Sequence, residues 1–164
     1  MRRMSLYPVL IGISLIGCTG SVRKAPAPQS PLPKREAHAL VSEACKHVGE
    51  PYRYGGMSTR GWDCSGFVRT MYKRTLNIDL PRKSHDIYLQ SFPVPWQRGR
   101  AGDLIFFRID SKKPSHVGIY LGGNSFIHVS ISDGVIVSSL LDDYYRQYFS
   151  GIRRYPSLSV ASLR

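Results

Sequence analysis

The sequence predicts an α+β fold, with N-terminal helices packed on an antiparallel sheet of five to six strands. Two observations carry this. In the first half, apolar residues recur at helical spacing, as in Phe67, Val68, Met71, Tyr72 and Leu76. Beyond Gly102 they alternate with polar residues, or run unbroken for a few positions, between turns rich in glycine, which is the pattern of strands. Helices first and strands afterwards is the order of an α+β domain. A chain of 164 residues has room for one domain of ordinary size.

Taken in order, a first helix is predicted over 36–48 and is ended by Gly49. Cys45 shares a helical face with Leu40, Val41, Ala44 and Val48 and reads as a small core residue. Pro51-Tyr52-Arg53-Tyr54-Gly55-Gly56 is a loop. Asp63 is a good N-terminal cap, so a second helix starts at Cys64 and runs to about Leu76. Asp79-Leu80-Pro81-Arg82-Lys83 turns the chain into a short third helix that ends near Gln90. Residues 91–100 form a proline-containing loop in which Trp96 covers the sheet. Strands are predicted over 104–109, 116–121, 126–131, 134–138 and 151–155, with a short helix or irregular turn over 142–149.

The formal net charge is +12. Loss of Arg2 and Arg3 with an export signal would leave about +10. A basic surface suits anionic partners. No basic-aromatic cluster or nucleic-acid motif accompanies the charge, so nucleic acid is not the expected partner. Three cysteines give no paired disulfide framework.

The chemistry centres on Gly61-Trp62-Asp63-Cys64-Ser65-Gly66-Phe67-Val68. A cysteine in the first turn of a helix faces unpaired backbone N–H groups and the positive end of the helix dipole. Both favour the thiolate, which is the nucleophilic form. On this octapeptide alone, a buried cysteine at the start of a core helix is an equal reading. Two later segments each add a histidine: Pro114-Ser115-His116-Val117-Gly118-Ile119-Tyr120-Leu121-Gly122 and Asn124-Ser125-Phe126-Ile127-His128-Val129-Ser130.

With Gly49-Glu50-Pro51-Tyr52-Arg53-Tyr54-Gly55-Gly56 and the Leu80-Pro81-Arg82 turn, these segments resemble the NlpC family of cell-wall cysteine peptidases, a branch of the papain-like superfamily. The resemblance covers roughly 39–155. It implies a papain-like NlpC fold, with Cys64 as nucleophile, His116 as general base and His128 as the residue that orients it. It also implies that Tyr52 faces the nucleophile and helps bind the oxyanion. Asp63 and Ser65 would help bind the peptide. Arg82 meets a substrate carboxylate or pairs structurally with Asp79 or Asp86. His85 departs from the family's commonest residue and reads as a surface or groove-edge histidine. The implied substrate is peptidoglycan, cut at stem-peptide amide bonds such as γ-D-glutamyl–diaminopimelate or a related cross-link. No cofactor is expected, and the chain is expected to be monomeric.

The N-terminus reads as an export signal over 1–17, with Arg2 and Arg3 before a short apolar run. Leu15-Ile16-Gly17-Cys18 resembles a bacterial lipobox, which implies acylation at Cys18 and anchoring to a membrane. Thr19 after the cysteine resembles the signal for sorting to the periplasmic face of the outer membrane. Residues 18–35 hold Pro26, Pro28, Pro31 and Pro33 and read as a stiff tether. The catalytic domain is expected over 36–156 and a tail over 157–164. Rival readings are a zinc site built from Asp63, Cys64, His116 and His128, an idle wall-binding lipoprotein, and an amidase or acyl transferase acting on another amide or lipid. The zinc reading lacks any close ligand pair.

His116 and His128 must share a sheet face to act together. A two-residue loop at Gly122-Gly123 would turn them to opposite faces, because side chains alternate along a strand. A three-residue or bulged hairpin pairs Gly118 with His128 and Tyr120 with Phe126. It makes the two histidines diagonal neighbours, about 7–8 Å apart at the backbone. Such a turn needs a glycine or Asn124 in the left-handed conformation.

Overall fold

The computed structural model describes residues 30–109 and 111–156. Cys18, the tether up to Gln29 and the tail 157–164 lie outside the described residues. The element order is α1 (Lys34–Cys45), β1 (Met57–Ser58), β2 (Gly61–Trp62), α2 (Cys64–Leu76), α3 (Ser84–Gln90), β3 (Phe92–Val94), β4 (Leu104–Phe107), β5 (His116–Gly122), β6 (Ser125–Ser130), β7 (Gly134–Ser139), α4 (Asp143–Tyr148) and β8 (Phe149–Arg154). Six strands form one sheet in the order β3-β8-β4-β5-β6-β7, and each neighbouring pair is antiparallel. The C-terminal strand therefore inserts between β3 and β4.

Helices α1 and α2 cover one face. Leu40 and Ala44 from α1, with Phe67, Val68 and Met71 from α2, meet Leu104, Phe106, Val117, Ile119, Ile127 and Val129 from the sheet. The opposite face is also covered. There Ile105, Phe107, Tyr120, Phe126 and Ile152 pack with Tyr145 and Tyr148 of α4. This explains why all four residues of β4, Leu-Ile-Phe-Phe, are apolar and buried. A strand covered on both faces loses the alternation of a half-exposed one.

The ends of α2 follow from local chemistry. Asp63 accepts the backbone N–H of Gly66 at 2.7 Å, as an N-cap should. Asn77 closes the helix with φ 54°, a left-handed C-terminal residue of the kind that stops helices. α1 starts earlier than the sequence pattern implies, because Pro33 is its cap and accepts the Ala37 N–H at 3.0 Å. Its last turn tightens, with Lys46, His47 and Val48 bonding three residues back to Glu43, Ala44 and Cys45.

That tightened turn corrects the expectation for Cys45, which is exposed. The buried stripe is Ala37, Leu40, Ala44 and then His47, a spacing that leaves Cys45 and Val48 off the edge. His47 packs edge-on against Trp62, 5.3 Å between ring centroids, and its Nδ1 meets Glu50 at 3.0 Å. The Trp62 indole N–H donates to the other oxygen of Glu50. The helix end is thereby tied to the segment that precedes Cys64.

Two further differences concern short strands. The 51–63 loop contains the β1–β2 hairpin, and a parallel bridge joins Tyr52 to Trp62. The 91–100 loop contains β3, which pairs with β8 and has Pro93 at its centre. Proline has no backbone N–H to donate to a ladder, so an edge strand is the position where it fits. Trp96 follows and packs edge-on against Phe149 at 5.4 Å.

The last strand is pinned by a buried ion pair. Arg154 donates to both oxygens of Asp103, at 2.7 and 2.8 Å, and the Arg100 backbone N–H donates to the same carboxylate at 2.8 Å. Removing the carboxylate leaves a guanidinium buried beside β4. Asp103→Ala is expected to cost about 3–5 kcal/mol, read as a fall in the urea midpoint at unchanged slope.

Candidate active site

α2 and the β5–β6 hairpin meet at one end of the sheet, where a cleft of about 670 Å³ opens. Cys64 stands on its wall at the first position of α2. His116, the first residue of β5, borders the same cleft. His128 lies behind it in β6 and is buried. His116 Nε2 contacts His128 Nδ1 at 2.9 Å, with the rings nearly perpendicular at 83°.

The hairpin makes this contact possible. Ile119 pairs with Ile127 and Tyr120 with Phe126, and then the register shifts so that Gly122 pairs with Ser125. One residue, Leu121, is extra. Gly122, Gly123 and Asn124 have φ of 90°, 57° and 69°, so the turn is the bulged, left-handed one that the histidine spacing requires. The register sets Gly118 opposite His128. A Cβ on residue 118 would lie 2.8 Å from the Ile127 carbonyl oxygen and 3.1 Å from His128 Cβ. Only glycine leaves His128 its place beside β5.

The pair is otherwise enclosed in aromatic rings. Phe107 lies 6.0 Å from His116, and Phe126 and Tyr145 lie 5.0 and 5.2 Å from His128. Burial, with the nearby His116 charge acting in the same direction, pushes His128 down to about 3. His128 is therefore neutral at ordinary pH. With His116 Nε2 held by His128, a proton exchanged between His116 and a thiol would pass through Nδ1.

Burial pushes the Cys64 thiol up, and the Asp63 charge adds to this. The Ser84 hydroxyl and the backbone N–H groups of Val117 and Ser65 act in the opposite sense. Ser84 Oγ lies 3.5 Å from the sulfur. The helix start does not by itself give a ready thiolate here. A thiolate at this position is favoured by a cation beside it, and His116 borders the same cleft as an imidazole that can take up a proton.

Tyr52, Asp63, Ser65 and Arg82 all border the cleft. Arg82 pairs with Asp63 through both guanidinium NH2 groups, NH1 reaching Asp63 Oδ1 and Ser65 Oγ at 3.0 Å each. This differs from the partners anticipated for it. Asp79 is instead taken by Arg69 at 2.7 Å. Asp63 thus caps α2, binds Ser65 and holds Arg82 at once. Burial and the neighbouring Asp63 and Cys64 charges push the Tyr52 phenol up, so it remains a hydrogen-bond donor. His85 lines the cleft wall, with Lys83 and Lys113 at the rim. Among the described residues no group of three or more His, Cys, Asp and Glu could hold a metal ion.

Sequence reasoning did not single out Ser84, Ser138 or Tyr145. Ser84 opens α3, and Ser138 and Tyr145 come from β7 and α4. They carry no motif of their own, and only folding brings them to the cysteine and the histidines.

A thiol at a helix start, on the same cleft as an imidazole held from behind by a second imidazole, is an arrangement suited to thiol-dependent acyl transfer. The chain belongs to the NlpC/P60 family, whose sequence signature matches residues 49–154. It is similar to the murein DD-endopeptidase MepS/murein LD-carboxypeptidase of Escherichia coli K12, 40% identical over 120 residues, which are 73% of this chain and 63% of that one. It is similar to the probable endopeptidase NlpC of the same organism, 37% identical over 149 residues, 89% of this chain and 96% of that one. A Staphylococcus aureus Mu50 structure described as similar to lipoprotein, NLP/P60 family, superposes with a TM-score of 0.74 at 32% identity, covering 80% of this chain and 45% of that one. The chain thus spans 63% of the murein endopeptidase that it matches.

Two outcomes are expected from this geometry. In His116→Ala the cation is lost, so the pH at which Cys64 becomes reactive to iodoacetamide should rise above the free-cysteine value of about 8.5. The second concerns stability. The unfolded chain binds a proton at residue 128 below about pH 6.5, whereas the folded chain resists it down to about 3. Acid therefore favours unfolding through this residue. Between about pH 7 and about pH 5 the wild type should lose about 2 kcal/mol more stability than His128→Gln, measured by urea unfolding.

Proposed function

We propose that the protein is a peptidoglycan hydrolase, a cysteine endopeptidase that cuts stem-peptide amide bonds. The observation that carries this is the 2.9 Å contact between His116 Nε2 and His128 Nδ1, set behind the cleft on which the helix-start Cys64 stands. In this reading Cys64 is the nucleophile, His116 the general base and acid, and His128 the residue that orients it.

His116 Nδ1 takes the thiol proton, and the sulfur adds to the amide carbonyl carbon. Collapse breaks the C–N bond, and the leaving amine takes the proton back from His116. Water, deprotonated by His116, then breaks the thioester. This releases a carboxylate and restores the thiol. The Cys64 backbone N–H and the Tyr52 hydroxyl are the proposed oxyanion donors. Asp63, Ser65 and Arg82 are the proposed peptide-binding groups. Lys83 and Lys113 at the rim suit a substrate that carries free carboxylates.

The relatives' names support a cell-wall amide but differ in the bond. The 37% identical protein of Bacillus subtilis is a gamma-DL-glutamyl hydrolase, and another relative there is a probable peptidoglycan endopeptidase. We further propose that Cys18 is acylated and that the tether holds the domain beside the wall at the outer membrane. Its support is the Leu15-Ile16-Gly17-Cys18 sequence and the prolines that follow.

The test is digestion of purified peptidoglycan by the full chain, with products identified by mass spectrometry. New amine and carboxylate ends are expected. Their rate of formation should fall by at least about 10⁴-fold in Cys64→Ala. Equal product yield from both proteins would refute the assignment, and absence of product from both would point to a wall binder or to another amide.

A further inference from the structure

His128 Nε2, the nitrogen turned away from His116, faces two hydroxyls. Ser138 Oγ of β7 lies at 3.0 Å and Tyr145 Oη of α4 at 3.1 Å. The groups packed around His128 include His116 from β5, these two hydroxyls, the Phe126 ring and the Val129 backbone. The Asp133 carboxylate in the β6–β7 turn acts on it only through its charge. Among the described residues, the side chains hydrogen-bonded to His128 are those of His116, Ser138 and Tyr145, none of them a carboxylate.

Proton counting fixes what the hydroxyls must do. When His116 is an imidazolium, both of its nitrogens carry hydrogen. His116 Nε2–H then donates to His128 Nδ1, which must be bare. A neutral His128 has one ring hydrogen, so that hydrogen sits on Nε2 and points at Ser138 Oγ and Tyr145 Oη. In the other tautomer of His128, Nδ1–H would point at the same His116 hydrogen, and the two would repel.

We propose that Tyr145 and Ser138 are positioning residues that together hold His128 as its Nε2–H tautomer and so stabilise the His116 imidazolium. They do for His128 what a carboxylate does where one is present, by accepting the far N–H. The role rests on the reading of Cys64 and His116 as the reacting pair. Two acceptors share one N–H, so the arrangement is partly redundant: the hydroxyl that stays keeps part of the support, and loss of either one weakens it. It also couples α4 to the reaction. Tyr145 is held there by ring contacts with Phe107 and Phe126 at 5.6 and 5.0 Å, which do not involve its hydroxyl.

Tyr145→Phe, Ser138→Ala and the double variant test this in the full chain. Three measurements are read: iodoacetamide alkylation of Cys64 against pH, ¹⁵N resonances of the His128 ring, and kcat and KM on a stem peptide. In the double variant the alkylation limb should rise by about one pH unit, because the ion pair is weaker. His128 should show mixed tautomers. The singles should lose a few-fold in kcat and the double about 30-fold, more than the product of the singles, with KM unchanged.

A double variant with the wild-type limb and the wild-type ¹⁵N pattern overturns the proposal. So does a kcat loss with an unmoved limb, which would mark packing alone. Should the double variant not fold, Tyr145→Phe is read alone. A rise of about half a pH unit supports the role and an unmoved limb overturns it. Alkylation and ¹⁵N shifts need no substrate. A moved limb in a protein that cuts no stem peptide would sink the peptidase reading while leaving this one standing.

Discussion

The bulge at the β5–β6 turn is the constraint on which the site depends. Side chains alternate along a strand, so a register change of one residue would send His116 and His128 to opposite faces. The extra residue at Leu121, with left-handed Gly122, Gly123 and Asn124, keeps Ile119 opposite Ile127. It thereby sets the two imidazoles 2.9 Å apart. Gly118 is the second half of the constraint, since any side chain there would meet His128 and the Ile127 carbonyl. A turn and a missing Cβ, neither of them chemical groups, determine which ring nitrogens meet.

The thiol comes to the same place by a separate route. α2 lies on the helical face of the sheet, and Asp63 stops its first turn at the cleft. Asp63 is needed three ways, as cap, as partner of Ser65 and as partner of Arg82. The Glu50 carboxylate, held by His47 and Trp62, ties α1 to the strand that leads into Cys64. On the far face, β8 is locked to β4 by Arg154 and Asp103. The sheet is buried on both sides, so neither face can shift to relax a misplaced histidine.

Electrostatics gives the site its character. Burial opposes charge on both Cys64 and His128. At Cys64 the Ser84 hydroxyl and the backbone N–H groups of Val117 and Ser65 act against that cost, and an imidazolium beside the sulfur would add to them. His128 is a neutral support, set against Phe126 and Tyr145, and it stabilises a neighbouring cation less than a carboxylate would.

Much of this was legible in the sequence, because local chemistry states it. Asp63 before Cys64 announces a capped helix whose first residue is a thiol. The apolar rhythms give helices before strands, and the spacing of His116 and His128 about two glycines demands the bulged turn. Cys45 was misread because helical periodicity assumes a regular last turn, and the α1 turn tightens to bring His47 inward. β3 was hidden by Pro93, which is tolerated only because the strand ends up on an edge. The pairing of Arg82 with Asp63, and the meeting of Ser84 with Cys64 and of Ser138 and Tyr145 with His128, join residues from separate elements. The sequence by itself determined the elements, the turn and the residues that are candidates for reaction, because each depends on neighbours a few residues away. Only the tertiary structure decided their charge states and their supporting partners, since burial and hydrogen bonding across the sheet exist only once the chain has packed.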